Sequence, residues 1–328
     1  MKKIIFIFII GFLFSACENL SPLVDTYVLD IPEGFPTPYI PEENMLSNER
    51  IALGKRLFYD PNLSVDKSIS CGSCHKQEYA FADNQSNSPG VYGRRGNRNS
   101  MSLSNMAYQD FFLREGGVPT LEMQVLVPIQ DHNEMDYNIL EVANRLNLDS
   151  SYVIASQQAY GRNPDPYVIG RSLASFQRTL ISGNSKDDLN QLNFSEQKGK
   201  ELFFSEELNC GSCHGGFLYT NQGIENNGLY IDFIDKGRYL FSLLEDDIGK
   251  FKVPSLRNIE YTSPYMHDGS LENLEEVITH YASGGKNHPN QSSLVNGFKI
   301  NNEQTQDLVN FLKALSDQKF LNENVPEL

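Results

Sequence analysis

Two segments carry apolar residues at three- and four-residue intervals: Val168 to Ile181 (VIGRSLASFQRTLI) and Thr305 to Leu315 (TQDLVNFLKAL). That period lines one face of a helix, so each predicts a helix packed by one side against a core. Two shorter amphipathic stretches, GKRLFY at 54–59 and GKELFF at 199–204, predict a further helix each. Leu271, Leu274, Ile278 and Tyr281 also share one helical face, which carries Tyr281 toward the interior. Strand signals are few, and the stretch 85–100, rich in Asn, Ser, Gly and Arg, reads as a loop. The pattern predicts a mainly α fold with long loops.

The two amphipathic stretches each precede the same pentapeptide, CGSCH, at 71–75 and 210–214. The repeat spans more than the pentapeptide, so the chain reads as an internal duplication. At 328 residues it is long enough for each half to bury its own core. The expected organisation is two tandem cytochrome c-like haem domains, 46–190 and 191–328. They are preceded by a tether at 17–45 that holds Pro22, Pro32, Pro36, Pro38 and Pro41 and shows no helical period.

The start reads differently. Lys2 and Lys3 precede the apolar run Ile4 to Phe14, then Ser15, Ala16 and Cys17. The run is too short to span a bilayer as a helix, and its flanks fit a secretory signal over 1–16. Cys17 resembles the lipidated cysteine of a bacterial lipoprotein, so the expected location is the periplasm, tethered by lipid to a membrane. Removing 1–16 takes away two of the 27 basic residues and none of the 42 acidic ones. The mature chain is then more negative than the formal −15 of the whole, which disfavours nucleic acid and favours a basic protein partner.

Of five cysteines, four lie inside the repeated motif: Cys71, Cys74, Cys210 and Cys213. C-x-x-C-H attaches a c-type haem, with two thioethers to the porphyrin edge and the adjacent imidazole on the iron. Zinc would require the two cysteine pairs to lie close together in sequence, and a dithiol redox pair requires no histidine. His75 and His214 are therefore the expected proximal ligands of two haems. An open sixth position lets a haem bind a small oxidant, whereas a filled one suits electron transfer. Residues 76–100 contain neither His nor Met, leaving Met101, Met106, Met123 and Met135 as more distant candidates for the first haem. For the second haem, Tyr281 and Met266 are the alternatives, with Tyr281 as a core aromatic if it binds nothing.

These features resemble the di-haem bacterial cytochrome c peroxidases and their MauG-like relatives over residues 46–320. The resemblance rests on GKRLFYDPNLS (54–64), ISCGSCH (69–75), PIQDHNEM (128–135), LASFQRTLISGNS (173–185) and VPSLRNIEYTSPYMHDGSL (253–271). It implies that peroxide reacts at the N-terminal haem while the C-terminal haem relays or stores electrons. It implies Glu134 as the distal acid/base, ahead of His132, with Gln124 and Pro128 in the same pocket. It implies a calcium ion at Asn99, Thr262 and Pro264, and it admits a homodimer. Arg257 and Asn258, or Arg94, Arg95 and Arg98, are candidate propionate partners.

The chain also departs from the pattern. It lacks the histidine after the first motif that blocks the iron of many relatives, so the first haem is expected to accept peroxide without reductive activation. Tyr281 stands where the usual peroxidases have Met, as in the MauG-like branch; an anionic oxygen ligand favours the oxidised metal. The chain has no Trp, and Leu113 stands near the place of the inter-haem indole, with Tyr108, Phe111 and Phe112 nearby. The first reading is a peroxidase that reduces hydrogen peroxide to water with electrons from a small cytochrome c or cupredoxin. The alternatives are a MauG-like oxidase that modifies a partner protein through high-valent haem iron, and an electron carrier with two saturated haems.

Overall fold

The computed structural model describes residues 26–323, so the signal segment and Cys17 lie outside the described residues. In the first half, α1 (Asn48–Phe58), α2 (Cys71–Cys74), α3 (Leu121–Gln124) and α4 (Val127–Gln130) are followed by α5 (Ile139–Asn147), α6 (Ser150–Tyr160) and α7 (Pro166–Arg178). The second half contains α8 (Phe194–Phe203), α9 (Tyr239–Ser242), α10 (Leu274–Ala282), α11 (Asn302–Lys313) and α12 (Gln318–Asn322). The only sheet among the described residues pairs β1 (Ile224–Glu225) with β2 (Phe251–Lys252) in antiparallel register. No described helix is long and apolar enough to cross a membrane.

Local chemistry sets the helix starts. The Asp165 side chain accepts from Val168 N at the head of α7, with Pro166 pre-set for the first turn. Reciprocal capping boxes open α8 (Asn193 with Glu196) and α11 (Asn301 with Gln304). The duplication is visible in packing. α1 crosses α7 at Gly54, where a Cβ would fall 1.9 Å from the Ser172 carbonyl oxygen. α8 crosses α11 at Gly199, where a Cβ would fall 2.0 Å from that of Asp307. In both GK-x-LF segments, glycine permits the backbones to touch. Phe58 and Phe176 then fill one core, and Phe203 and Phe311 fill the other.

Two connections tie the halves together. The proline-rich segment, expected as a tether, is laid down on the protein from residue 26: Tyr27 N donates to Leu46 O at 3.0 Å, and the Phe35 ring stands 4.8 Å from Phe217 of the second half. At the other end α12 crosses back, placing Phe320 and Leu321 in the first core and Phe320 O on Gln77 Nε2 at 2.8 Å.

Candidate active site and haem pockets

The first motif lies on α2 with His75 as its C-terminal cap, the His75 N–H donating to Cys71 O at 2.9 Å. This short turn presents Cys71, Cys74 and His75 on one wall of a cavity of about 480 Å³, within the roughly 300–1,000 Å³ usual for cofactor pockets. His75 Nδ1 lies 2.8 Å from Phe81 O and 3.3 Å from Ser100 Oγ. Donation to that carbonyl fixes the tautomer and frees Nε2 for a metal. Burial pushes the imidazole below its ordinary pKa, and burial raises the Cys71 and Cys74 thiols to about 12 and about 11.

Facing this wall are Gln124 and Val125 from α3 and its cap, Pro128 from α4, and Glu134 from the turn that follows. The turn is held by Glu134 N donating to Asp131 O at 3.1 Å and by Val91 N donating to Glu134 O at 2.9 Å. The loop can approach this closely because residue 90 is glycine; a Cβ there would meet Asn133 O at 1.9 Å. The Glu134 side chain opens onto the cavity. Glu134 remains solvent-accessible there; partial desolvation by the protein packed around the turn, with Asp131 adding negative charge nearby, raises its carboxyl to about 7. Such a group exchanges a proton readily near neutral pH.

The residues fit a covalently bound haem. Thiols, imidazole and apolar walls converge, and Gln124 Oε1 and Gln177 Oε1, both from residues of this cavity lining, are buried without hydrogen-bond partners. Buried polar atoms of this kind ordinarily have a partner, so a polar ligand or water suits them. Arg98, Arg114 and Lys252 add cationic groups to the lining. Burial lowers Arg114 to about 10, with Arg98 adding to the effect, and lowers Lys252 to about 8, with Arg114 adding to it. Carboxylates such as haem propionates would relieve both. Arg114 and Lys252 were not expected as site residues: each is a single cation in a loop or strand, and only the tertiary structure turns it inward.

The other candidates sort differently. His132 is exposed and engaged by Arg94 and Asp136, outside the cavity lining. Met101, Met106 and Met135 line the cavity, whereas Met123 is exposed. The expected propionate partners are largely committed elsewhere. Arg257 makes a bidentate pair with Asp188 at 2.8 Å, and Asn258 bonds Ser182 Oγ and Asp317 N. Arg95 bonds Gln85 and Asn87 O. Of the group, Arg98 alone belongs to the cavity lining, where it pairs with Glu115 and Asp235.

Around the second motif, His214 Nδ1 lies 3.2 Å from Tyr219 O and 3.1 Å from Pro254 O, again leaving Nε2 free. Tyr281, on α10, faces this motif: burial raises its phenol to about 12, with the charges of Cys213 and Cys210 contributing. Met266 Sδ accepts from Asn227 Nδ2 at 3.2 Å, and Asn227 also reaches the Tyr281 hydroxyl. Asn227 O is itself bonded by the His280 ring at 3.0 Å. Asn227 had no signal in sequence, because it meets α10 only across the fold. Between the halves, Leu113 lines the first cavity, while the Tyr108 ring stands edge-on to Phe217 at 5.1 Å.

Asn99 and Pro264 meet, but not as an open cation cage, and the Thr262 hydroxyl donates to Ile259 O at 3.3 Å. Asn99 Nδ2 donates to Pro264 O at 2.6 Å, and Arg114 Nη2 donates to Asn99 O at 3.0 Å and to Asn99 Oδ1. A guanidinium on the side-chain oxygen does not fit a calcium ion in the same place. No group of three His, Cys, Asp or Glu among the described residues is arranged to hold a metal ion.

The family profile for di-haem cytochrome c peroxidase matches residues 48–193, and that for cytochrome c matches 196–316. The chain is 33% identical to the cytochrome-c peroxidase IdrP1 of Pseudomonas sp. (strain SCT), over 89% of this chain and 87% of that one. It is 31% identical to the methylamine utilization protein MauG of Methylorubrum extorquens, over 87% and 82% respectively. The crystal structure of a MauG-like protein associated with microbial copper homeostasis superposes with a TM-score of 0.87 at 32% identity, covering 92% of this chain and 98% of that one. Agreement of this extent, across both motifs and both halves, places the chain in the di-haem cytochrome c peroxidase and MauG family, an oxidoreductase family that carries two covalently bound c-type haems.

Proposed function

We propose that the protein is a di-haem peroxidase that reduces hydrogen peroxide to water with electrons from a small cytochrome c or cupredoxin. The observation that carries this is Glu134: a carboxyl raised to about 7, on the wall of the cavity that holds Cys71, Cys74 and His75. A haem held by Cys71, Cys74 and His75 would supply the metal site and electron path for peroxide cleavage. Glu134 takes the proton from the inner peroxide oxygen and returns it to the departing one, and Gln124 orients the oxygen pair through its side-chain amide. Overall, one peroxide, two protons and one electron from each of two donors give two waters and two oxidised donors. Tyr281 would hold the second haem in this reading, since its buried phenol lies by Cys210 and Cys213; Asn227 reaches both the Tyr281 hydroxyl and the Met266 sulfur and so does not separate them.

Glu134→Gln should keep both haems and lower peroxide turnover by roughly a hundredfold or more. Turnover equal to wild type would remove Glu134 from the mechanism. The second reading, a MauG-like oxidase acting on a partner protein, is favoured by Tyr281 and by the MauG relatives. Peroxide-dependent mass change on a co-purifying protein, without turnover of a reduced cytochrome, would select it. The signal at 1–16, lipid on Cys17 and periplasmic residence belong to the same proposal; mass spectrometry of the mature N-terminus tests them. A homodimer is tested by sedimentation. Calcium at Asn99, Thr262 and Pro264 requires Arg114 to release the Asn99 oxygen. Chelator treatment is therefore expected to leave the haem spectra unchanged, and a spectral loss restored by added calcium would establish the ion.

A further inference from the structure

The connection between β1 and β2 rises from the second half and leans on the first. Its base is closed by Arg238 N donating to Lys250 O at 2.9 Å and Gly249 N donating to Lys236 O at 3.0 Å. It is anchored by Asp235 on Arg98 at 2.6 Å and by Arg238 Nη1 on Glu115 O at 2.9 Å, and the Phe241 ring lies over Gly117. With this much of the loop fixed, its outer side chains are unusual. Ile231, Leu240 and Leu244 are each 61% exposed, Phe241 58%, Leu243 72% and Ile234 fully. Leu243 is held in the left-handed backbone region at φ 58°, a conformation that costs a leucine energy. Single exposed apolar residues are ordinary, but six within fourteen positions mark a surface that another molecule covers.

Charge narrows the occupant. Asp232, Glu245 and Asp246 flank these residues, are exposed, and engage in no ion pair among the described residues. The segment's exposed cation, Lys236, stacks over Tyr239 at 4.8 Å. A second copy would bring the same acids into contact, and anionic lipid would be repelled. A protein with an apolar centre ringed by Lys and Arg matches both features, and steering by a chain of formal charge −15 would speed its arrival. The patch also adjoins the active site, because Leu240 lines the first cavity as well as the surface.

We propose that Ile231, Ile234, Leu240, Phe241, Leu243 and Leu244 form the docking face for a protein electron donor whose contact surface is apolar at its centre and basic at its rim. This rests on the peroxidase reading for the direction of electron flow.

The test titrates the full-length holoprotein by calorimetry with a lysine-ringed mitochondrial-type cytochrome c as the probe, beside peroxide turnover with a small organic reductant. Leu243→Asn with Leu244→Asn suits the left-handed backbone and should weaken probe binding about tenfold or more, while turnover with the small reductant is unchanged. Glu245→Lys with Asp246→Lys should weaken binding and flatten its salt dependence. Unchanged binding in both variants overturns the proposal. Wild-type protein that uses the small reductant but does not bind the probe also overturns it, leaving the peroxidase reading standing. Binding that the variants abolish, with no peroxide turnover by any reductant, upholds the face and overturns the peroxidase reading. A wild-type dimer converted to monomer by the leucine variants would assign the face to a second copy and overturn the proposal.

Discussion

With its carboxyl raised to about 7, Glu134 is protonated and charged in comparable amounts near neutral pH. The charged form is the one that accepts a proton from peroxide, so kcat/KM should rise as pH increases through about 7 and level above it. In Glu134→Gln that limb should vanish from the pH profile while the residual rate stays flat. Tyr281 is testable in the same way. Tyr281→Phe should change the low-spin EPR and resonance Raman signature of one haem and leave the other intact, and Met266→Ala should change neither. The reverse result would make Met266 the ligand. The sequence named Glu134 and Tyr281 through motif and helical period. It did not separate Arg98, which lines the cavity, from Arg94 and Arg95, because sequence adjacency says nothing about which way neighbouring loop residues point.

At the scale of elements, the two crossings of α1 on α7 and α8 on α11 set where each haem motif sits, since each motif follows its opening helix closely in the chain, after residues 59–70 in the first half and 204–209 in the second. Gly54→Ala would drive a methyl to within 1.9 Å of Ser172 O and force the helices apart. An overpacking cost of about 1–3 kcal/mol is expected, read as a lowered thermal midpoint with both haems still bound. Gly199→Ala should do the same in the second half. The periodic helices α7, α10 and α11 were legible because their apolar faces repeat. The short turns α3, α4 and α9 were not, since four residues hold little periodicity and are shaped by what they pack against.

Over the whole molecule, buried ion pairs join the halves. Burial alone would raise the Asp188 carboxyl, but the Arg257 guanidinium outweighs it and holds the group below its ordinary 3.8. Arg98 does the same for Asp235. A depressed carboxyl contributes stability that is fully present above its unfolded pKa and is lost as pH falls through the folded value. The protein should therefore lose stability in acid below about pH 4, and the loss should be smaller in Asp188→Asn, which has less to lose. Asp188→Ala would leave the Arg257 side chain, 1% exposed, without its counter-charge at a cost of about 3–5 kcal/mol at neutral pH, measurable by denaturant unfolding.

The sequence by itself determined what depends on neighbours in the chain: the helices with long apolar faces, the duplication, and haem attachment, whose five residues act within one turn. It also carried the family resemblance, through motifs that extend over several residues. The tertiary structure decided what depends on residues far apart in the chain. It placed Gln124 and Glu134 opposite His75, turned Arg114 and Lys252 inward, and committed Arg257 to Asp188. It also laid the proline segment and α12 across both halves and left Ile231, Ile234, Leu240, Phe241, Leu243 and Leu244 facing out. Those outcomes depend on how the chain's loops are stacked against its helices, and a loop residue's neighbours in space are set by that stacking rather than by the residues beside it.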